Sequence, residues 1–505
     1  MTAPPAIWCG ERVAHWADTR PDTIAVTEPG RTLTYAEFDA AVDQAVILLI
    51  GQGLGPGDRL LVICENSLAA AVAILAAQRI RAWPVPVNAR LTGTEIERIA
   101  AHARPKLVVV TDGVSVEAKA HATQFGADRP FLDLGASLGT MPEPGKPEPV
   151  TDDPAQDVAA LIYTTGTTGT PKGVMLTHDN LVVTAATISA IRDAQPDEHV
   201  YCPLPIAHIF GLGAVLGAAL HTGYRVDFIP RFDTAETLRA FAEDGVTAFS
   251  GVPAMYAALV ALGEAQGGIT APRLRFLSSG GAPLDPGLKA RVEAMFGLNL
   301  GNGYGLTESA PLGAVTPLGA PSADTSVGPP MRGVDVRIAG ADGTERPVGE
   351  IGELWMRGRH VMRGYYKSPD QTAETITAEG WLRTGDLARR DERGWLYIAG
   401  RLKELIIRSG FNVYPPEIEG VLTKHPAIAL AAVVGREAAD GNEDVIAFLQ
   451  LKPGRGVELP ELRALAEAEL APYKRPSEYH VRQSLPAAAT GKVLKHKLLD
   501  LLEES

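Results

Sequence analysis

A stretch of threonine and glycine, Tyr163-Thr-Thr-Gly-Thr-Thr-Gly-Thr-Pro-Lys-Gly-Val174, carries the strongest chemical signal in this sequence. Glycines let backbone amides approach a ligand, threonines add hydroxyl groups and Lys172 adds a positive charge, a combination that suits a polyphosphate. No Walker A pattern can be written here, and apolar runs flank the stretch, so we predict a loop between two strands. A flexible surface turn is the alternative. The predicted phosphate-binding residues are Thr164, Thr165, Gly166, Thr167, Thr168 and Lys172.

Two further segments combine turns with groups able to hold a nucleotide. In Ser278-Ser-Gly-Gly-Ala-Pro-Leu284, a tight turn after a predicted strand, missing side chains would let a flat ring lie on the backbone. Gly301-Asn-Gly-Tyr-Gly-Leu-Thr-Glu-Ser309 brings an aromatic ring (Tyr304), a hydroxyl (Thr307) and a carboxylate (Glu308) together. Glu308 could hold Mg²⁺ beside phosphates, because hard cations prefer oxygen ligands. Taken alone, the first segment could be an ordinary strand–helix turn, and Glu308 could be an ordinary surface residue.

Together these motifs resemble the adenylate-forming superfamily of acyl- and aryl-CoA synthetases, peptide-synthetase adenylation domains and luciferase, over nearly the whole chain. The resemblance implies ATP and CoA as co-substrates and Glu308 as the Mg²⁺ ligand. It also implies that Asp386, in Trp381-Leu-Arg-Thr-Gly-Asp386, holds the ribose hydroxyls, with Arg401 assisting. The remaining nucleotide contacts that it implies are Gly280, Gly281 and Ala282 beside the adenine, and Tyr304, Gly305 and Thr307.

The resemblance also assigns roles near the end of the chain. Lys492, in Leu485-Pro-Ala-Ala-Ala-Thr-Gly-Lys492, matches the family's catalytic lysine, although two alanines stand where a basic residue and a Thr or Asn are usual. Lys403 matches the hinge of a rotating domain, and Gly410 and Phe411 match the strand that swings in beside the pantetheine thiol. In the family this lysine assists formation of the acyl-adenylate and not the transfer to the thiol.

The acid-binding side rests on weaker signals. His208 lies in an apolar run, where a core histidine is the default interpretation, and the resemblance implies a place between acyl pocket and thiol tunnel. Phe210, Met255 and Tyr256 would line the pocket. The two segments that contain these residues, 203–212 and 251–256, carry no Lys or Arg. Their composition favours a fatty, alicyclic or aromatic monocarboxylate as the acid that becomes an acyl-CoA. The alternatives are a dicarboxylate such as malonate, loading of a carrier-protein thiol, and a nucleotide-binding regulatory protein without catalysis.

The secondary-structure pattern must position these motifs. Apolar runs such as Arg59–Cys64 alternate with helical patterns such as Leu68–Arg79, which predicts α/β layers. Residues 137–157, which are rich in Pro, Gly and Asp, are predicted to form a linker or a surface excursion, and the chain becomes β-rich from about Val334. We therefore predict a large α/β N-terminal domain of several subdomains (1–400) and a small α+β C-terminal domain carrying Lys492 (401–505), and the resemblance implies that the small domain is mobile.

Composition and net charge limit the classes of partner that the protein can bind. The 505 residues include 47 Lys+Arg and 60 Asp+Glu, a formal net charge of −13, which argues against nucleic acid as a partner. The last 105 residues are nearly neutral, with 14 Lys+Arg and 15 Asp+Glu. Three distant cysteines suggest neither disulfides nor zinc, and no signal peptide or membrane-spanning run is apparent. We expect a cytoplasmic protein, either a monomer or a homodimer.

Overall fold

The computed structural model describes residues 8–165, 171–318, 324–408, 411–438, 442–452, 454–487 and 493–503. Its first part alternates helices and strands: α1 (Arg12–Thr19), β1 (Ile24–Glu28), β2 (Arg31–Thr34), α2 (Tyr35–Gly51), β3 (Arg59–Cys64), α3 (Leu68–Ile80), β4 (Trp83–Asn88), α4 (Gly93–Ala103), β5 (Leu107–Val110), α5 (Val116–Gln124), β6 (Arg129–Pro130) and β7 (Ser137–Thr140).

The alternation continues through the segments that carry the predicted motifs: β8 (Val158–Thr165), β9 (Pro171–Thr177), α6 (His178–Ile191), β10 (His199–Cys202), a π-helix (Phe210–Gly217), α7 (Ala218–Thr222), β11 (Arg225–Phe228), α8 (Thr234–Glu243), β12 (Ala248–Gly251), α9 (Pro253–Gln266), β13 (Phe276–Ser279), α10 (Pro286–Phe296), β14 (Leu300–Tyr304) and β15 (Ala314–Val315).

The remainder is richer in strands: β16 (Asp335–Ala339), β17 (Gly352–Arg357), β18 (Gly364–Tyr365), α11 (Pro369–Thr375), β19 (Leu382–Arg390), β20 (Leu396–Arg401), β21 (Ile406–Arg408), β22 (Phe411–Val413), α12 (Pro415–Leu422), β23 (Ile428–Glu437), β24 (Glu443–Leu451), α13 (Leu459–Glu469), β25 (Glu478–Arg482) and α14 (Asp500–Glu503).

Two sheets with parallel centres form the body of the molecule. The larger has the order β15-β14-β13-β12-β10-β11-β1-β2, and its strands from β14 to β1 run parallel. The smaller has the order β4-β3-β5-β7-β6. The alanine-rich helix α3 is buried along nearly its whole length, because small side chains permit packing on every side. In such sheets ligands bind at the carboxyl ends of the strands, where Gly251, Ser279 and Tyr304 end β12, β13 and β14.

Residues 137–157 are only partly the linker or surface excursion that their composition predicts. Ser137–Thr140 forms β7, which pairs antiparallel with β5 near the edge of the smaller sheet. Its Ser-Leu-Gly-Thr sequence lacks the β-branched alternation of a typical strand, so pairing with the apolar β5 decides its conformation.

Among the described residues, three smaller sheets and the two-stranded antiparallel pair of β21 and β22 complete the fold. β18, β9 and β8 form one, β16, β17, β19 and β20 form an antiparallel second, and β23, β24 and β25 form the third. The third sheet packs with α12 and α13 around its own apolar cluster, which includes Ile418, Val433 and Leu462. The predicted class, a large α/β domain followed by a small α+β domain, is confirmed. Within the described ranges, no helix combines the length and apolar character needed to cross a membrane.

Candidate active site

The predicted phosphate loop lies between two paired strands. β8 and β9 run antiparallel, with Thr164 directly opposite Lys172 and Thr165 opposite Pro171. The two strands that the sequence predicts on either side of the loop are therefore present, and Thr164, Thr165 and Lys172 belong to them. Gly166, Thr167 and Thr168 lie outside the described residues.

Tyr365 connects the phosphate-loop lysine to the predicted metal ligand. β18 pairs with β9 so that Tyr365 lies opposite Val174, and its ring centroid is 4.9 Å from the Lys172 ammonium nitrogen. Its hydroxyl donates a hydrogen bond of 2.8 Å to Glu308 Oε1. Burial, followed by the Glu308 charge, raises the pKa of Tyr365, so the phenol stays a donor at neutral pH. The ring therefore holds a cation on its face and a carboxylate at its edge.

The backbone around Glu308 turns sharply and is fixed by close contacts. Gly305 passes so near the carbonyl of Pro311 that no side chain fits between them. Thr307 and Glu308 then form a 3₁₀-helix with Ser309, and Thr307 is buried. Met362 N donates to Glu308 O at 2.9 Å, which places β18 beside this turn. The segment thus presents the Glu308 side chain from a rigid support.

Asp386 is held between a phenol and a guanidinium. Tyr304 Oη donates to Asp386 Oδ2 at 2.6 Å, and Arg401 Nε lies 3.1 Å from Asp386 Oδ1. Arg401 stands opposite Asp386 in the β19–β20 ladder. Burial opposes the charge of Arg401, but Asp386 and then Glu404 outweigh that effect, and the pKa of the guanidinium rises. An ionised carboxylate in this setting is a hydrogen-bond acceptor suited to hydroxyl groups.

The predicted adenine turn and the predicted acyl pocket are in contact. Gly280 N donates to Gly251 O at 3.2 Å, and a Cβ atom at Gly280 would lie 3.2 Å from the Phe210 ring. Gly281 has φ +78°, a left-handed conformation that glycine adopts without strain, and Ala282 follows it. Glycine at 280 therefore lets the Phe210 ring lie directly against the turn.

His208 is exposed and is not a core histidine. It precedes the π-helix, a rare element that occurs often at functional sites. Its Nδ1 accepts a hydrogen bond of 3.2 Å from Phe210 N. The neutral ring then carries its proton on Nε2, which makes that nitrogen the donor.

Met255 and Tyr256 differ in their access to a pocket. Met255 is partly buried between two apolar clusters. Tyr256 is completely buried, and its hydroxyl donates to Ser278 O at 2.7 Å. Tyr256 therefore supports the end of β13 from within the core, at Ser278, two residues before Gly280 of the predicted adenine turn.

The chain also matches known proteins. Residues 13–366 match AMP-binding enzyme, and residues 417–492 match AMP-binding enzyme C-terminal domain. The chain belongs to the AMP-binding enzyme family.

Relatives of this AMP-binding enzyme cover it almost end to end. It is 33% identical to sulfoacetate–CoA ligase of Cupriavidus necator, over 97% of this chain and 96% of the relative. It is 31% identical to long-chain-fatty-acid–CoA ligase of Bacillus subtilis, over 95% and 92% of the two chains. The ATP-bound crystal structure of MatB from Rhodopseudomonas palustris superposes with a TM-score of 0.84 at 30% identity, covering 98% and 99%. The protein is accordingly an AMP-forming acid–CoA ligase, and its relatives are named for different acids.

The C-terminal residues of the AMP-binding enzyme are placed as follows. Lys403 is exposed in the 3₁₀-helix Leu402–Glu404, directly after β20. Phe411, which begins β22, is 53% exposed and stacks on Tyr473 with ring centroids 4.5 Å apart. Gly410 and Lys492 lie outside the described residues.

The donor chemistry fits a magnesium ion shared with a nucleotide. Mg²⁺ in phosphate-transfer sites typically takes one or two protein carboxylates together with substrate phosphates and water. Among the residues that the structure describes, no three His, Cys, Asp or Glu side chains are grouped to hold a metal by themselves. Glu308 offers one oriented carboxylate, which contacts the same tyrosine, Tyr365, as the Lys172 ammonium does. That arrangement suits a cation bound mainly by phosphates.

The sequence analysis did not identify Tyr365, and the role of its hydroxyl beside Glu308 can be tested. Tyr365→Phe removes the hydroxyl from Glu308 but keeps the ring beside Lys172, so we expect about a tenfold higher ATP concentration for half-maximal pyrophosphate exchange. The matched control is Tyr366→Phe, because that neighbouring hydroxyl donates to Glu148 instead, at 2.6 Å. Equal responses of the two variants would contradict the role. In the sequence Gly364-Tyr365-Tyr366, nothing distinguishes Tyr365 from Tyr366 as a residue of the site.

Proposed function

We propose that this enzyme activates an apolar monocarboxylic acid, either fatty, alicyclic or aromatic, and transfers it to CoA. The observation that carries the proposal is the Phe210 ring, which lies against the Gly280 backbone at the start of the proposed adenine turn. An apolar wall at this point suits the tail of an acid whose carboxylate meets ATP. The pocket segments, residues 203–212 and 251–256, contain no Lys or Arg to pair a second anionic group.

The proposed reaction has two steps. An oxygen of the carboxylate attacks the α-phosphorus of ATP, the bond to the pyrophosphate oxygen breaks, and acyl-adenylate and pyrophosphate result. The CoA sulfur then attacks the acyl carbonyl carbon, AMP departs, and the thiol proton passes to solvent. The first step brings two anions together, so local positive charge and exact positioning carry most of the catalysis.

Each proposed residue supplies part of that environment. Lys172 and the threonines of residues 164–168 bind phosphate oxygens, and Asp386 accepts hydrogen bonds from the ribose, steadied by Tyr304 and Arg401. Mg²⁺, held by Glu308, would neutralise phosphate charge. Lys492 pairs with the carboxylate and the α-phosphate during adenylation.

The second step needs a different surface of the small domain. We propose that residues 401–505 rotate about Lys403, withdrawing Lys492 and bringing Gly410 and Phe411 beside the thiol. His208 stands next to Phe210 and borders the path of the thiol in this proposal. An exposed Phe411 is consistent with a side chain that gains contacts only after rotation.

An acid with a second anionic group is the competing substrate class, because likeness to sulfoacetate–CoA ligase favours it. A panel of acids with ATP and CoA, followed by pyrophosphate release, separates the two. We expect the best of octanoate, cyclohexanecarboxylate and cinnamate to exceed malonate and sulfoacetate in kcat/KM by about 100-fold, since an unpaired buried anion is costly.

The same panel tests the rest of the function. AMP formation should require CoA, whereas a requirement for a phosphopantetheine carrier protein would favour the carrier-loading alternative. Strong activity on malonate alone would overturn the apolar-tail proposal. Failure of every acid to promote pyrophosphate release would overturn the activity itself.

A further inference from the structure

A lysine that the proposed chemistry does not use lies between two carboxylates in the small domain. Lys495 Nζ is 2.7 Å from Glu419 Oε1 and 3.1 Å from Glu404 Oε2, and 17% of its side chain is exposed. Burial disfavours the ammonium, but Glu419 and then Glu404 outweigh it, so the pKa of Lys495 rises. The group is a permanent cation at neutral pH. We name these three residues the Lys495 triad.

The Lys495 triad joins three elements that are distant in sequence. Glu404 ends the 3₁₀-helix that contains Lys403, the proposed hinge residue. Glu419 belongs to α12, and its Oε1 also accepts a hydrogen bond of 2.7 Å from Val433 N on β23. Lys495 itself begins the 3₁₀-helix Lys495–Lys497. One ammonium therefore ties the hinge turn and α12 to the chain that follows Lys492.

The segment that holds Lys492 is also anchored at both of its ends. Ala487 and Val493 form an antiparallel bridge, and Leu494 N donates to Pro486 O at 2.8 Å. Leu485 and Leu498 are buried in the apolar cluster of β24. The described residues on either side of 488–492 are thus held at fixed points of the domain. The Lys495 triad is the polar part of that anchor.

We propose that Lys495 is a positioning residue for adenylation, which holds the root of the Lys492 segment against the hinge turn and α12. The inference rests on the proposed function. The triad ties the segment to the hinge turn. When the small domain rotates about Lys403, Lys492 therefore reaches the ATP site in a fixed position relative to the hinge turn. Loss of the ammonium leaves two half-buried carboxylates facing each other, which would push the hinge turn and the segment apart.

The test compares the two half-reactions in the full chain. Lys495→Met keeps most of the side-chain length and removes the charge. We expect kcat of acid-dependent pyrophosphate–ATP exchange to fall about 30- to 100-fold, since small displacements of a catalytic group have effects of this size. KM for ATP should stay within about twofold and CoA transfer from supplied acyl-adenylate within about threefold, because Lys492 acts only in adenylation.

Two variants and one control complete the experiment. Lys495→Arg keeps the cation and should restore exchange to within about fivefold of wild type. Lys497→Met, at an exposed position two residues along the same 3₁₀-helix, should leave both half-reactions unchanged. If Lys495→Met fails to fold, Glu404→Gln tests the same contact and should show the same selective loss of exchange.

The outcomes separate the two proposals. Equal loss of both half-reactions, or full exchange activity in folded Lys495→Met and Glu404→Gln, would overturn the positioning role while the acid–CoA ligase activity stands. A wild-type enzyme without acid-dependent exchange on any acid of the panel would overturn the proposed function, and the positioning role with it.

Discussion

Lys492→Ala is expected to abolish acid-dependent pyrophosphate exchange and to leave the transfer of a supplied acyl-adenylate to CoA largely intact. In the first half-reaction a carboxylate approaches the α-phosphate, so the removal of a cation between two anions should cost about 10²- to 10³-fold or more. In the second half-reaction the adenylate is already formed and AMP is the leaving group. In the proposed rotation Lys492 has left the site by then and has no part in that step.

The control for Lys492→Ala is Lys497→Ala, an exposed lysine of the same terminal region. It should retain both half-reactions, which excludes a general effect of lost positive charge in the small domain. Exchange is followed with labelled pyrophosphate, and transfer by the disappearance of free thiol. Loss of the two activities in equal proportion would show that Lys492 supports the fold or both steps, and would contradict its assignment to adenylation.

The strands and helices nearest the site follow from local sequence signals. The buried run Arg59–Cys64 is β3 with the same bounds, and the predicted helix Leu68–Arg79 is α3 extended by one residue. The two predicted strands around the Thr/Gly stretch are present and include its described ends, because the apolar residues on both sides pair in the core. In each case one short segment contains the information that decides its conformation.

Contacts between segments distant in the chain were beyond prediction. Tyr365 and Glu308 are 57 residues apart, and Tyr304 and Asp386 are 82 apart. Such pairs depend on how β18 lies beside β9 and how β19 pairs with β20, which no local periodicity encodes. Glu404 and Lys495 illustrate the same limit, since each alone resembles an ordinary surface charge. Their significance comes only from sharing one partly buried site.

The residues predicted near the acyl pocket differ in how deeply they are buried. Tyr256 reads as an aromatic pocket residue in sequence, yet its hydroxyl needs a buried acceptor and finds Ser278 O. His208 reads as a core histidine, yet the turn before the π-helix exposes it. Phe210 lies against the backbone of Gly280, a contact that the sequence did not predict. Hydrophobicity indicates that a residue is near the core, but not which side of it faces a ligand.

Glu308 offers the second test with a large expected effect. Its carboxylate accepts a hydrogen bond from Tyr365, whose ring lies beside Lys172, and its negative charge also contributes to the raised pKa of Arg401, the partner of Asp386. Glu308→Gln preserves size and the acceptor oxygen for the Tyr365 hydroxyl, so the local geometry should survive. What it removes is the negative charge that a hard cation requires.

We therefore expect Glu308→Gln to lower kcat of pyrophosphate exchange by about 100-fold and to raise the Mg²⁺ concentration for half-maximal rate, at fixed ATP. Glu374→Gln, on the exposed surface of α11, is the charge-matched control and should behave as wild type. Titration with Mg²⁺ decides between two explanations of a slow variant. Recovery of rate at high Mg²⁺ identifies Glu308 as a metal ligand, because weak binding is overcome by mass action. A uniform loss at every Mg²⁺ concentration would instead show that the carboxylate orders Tyr365 and Lys172 without binding the cation.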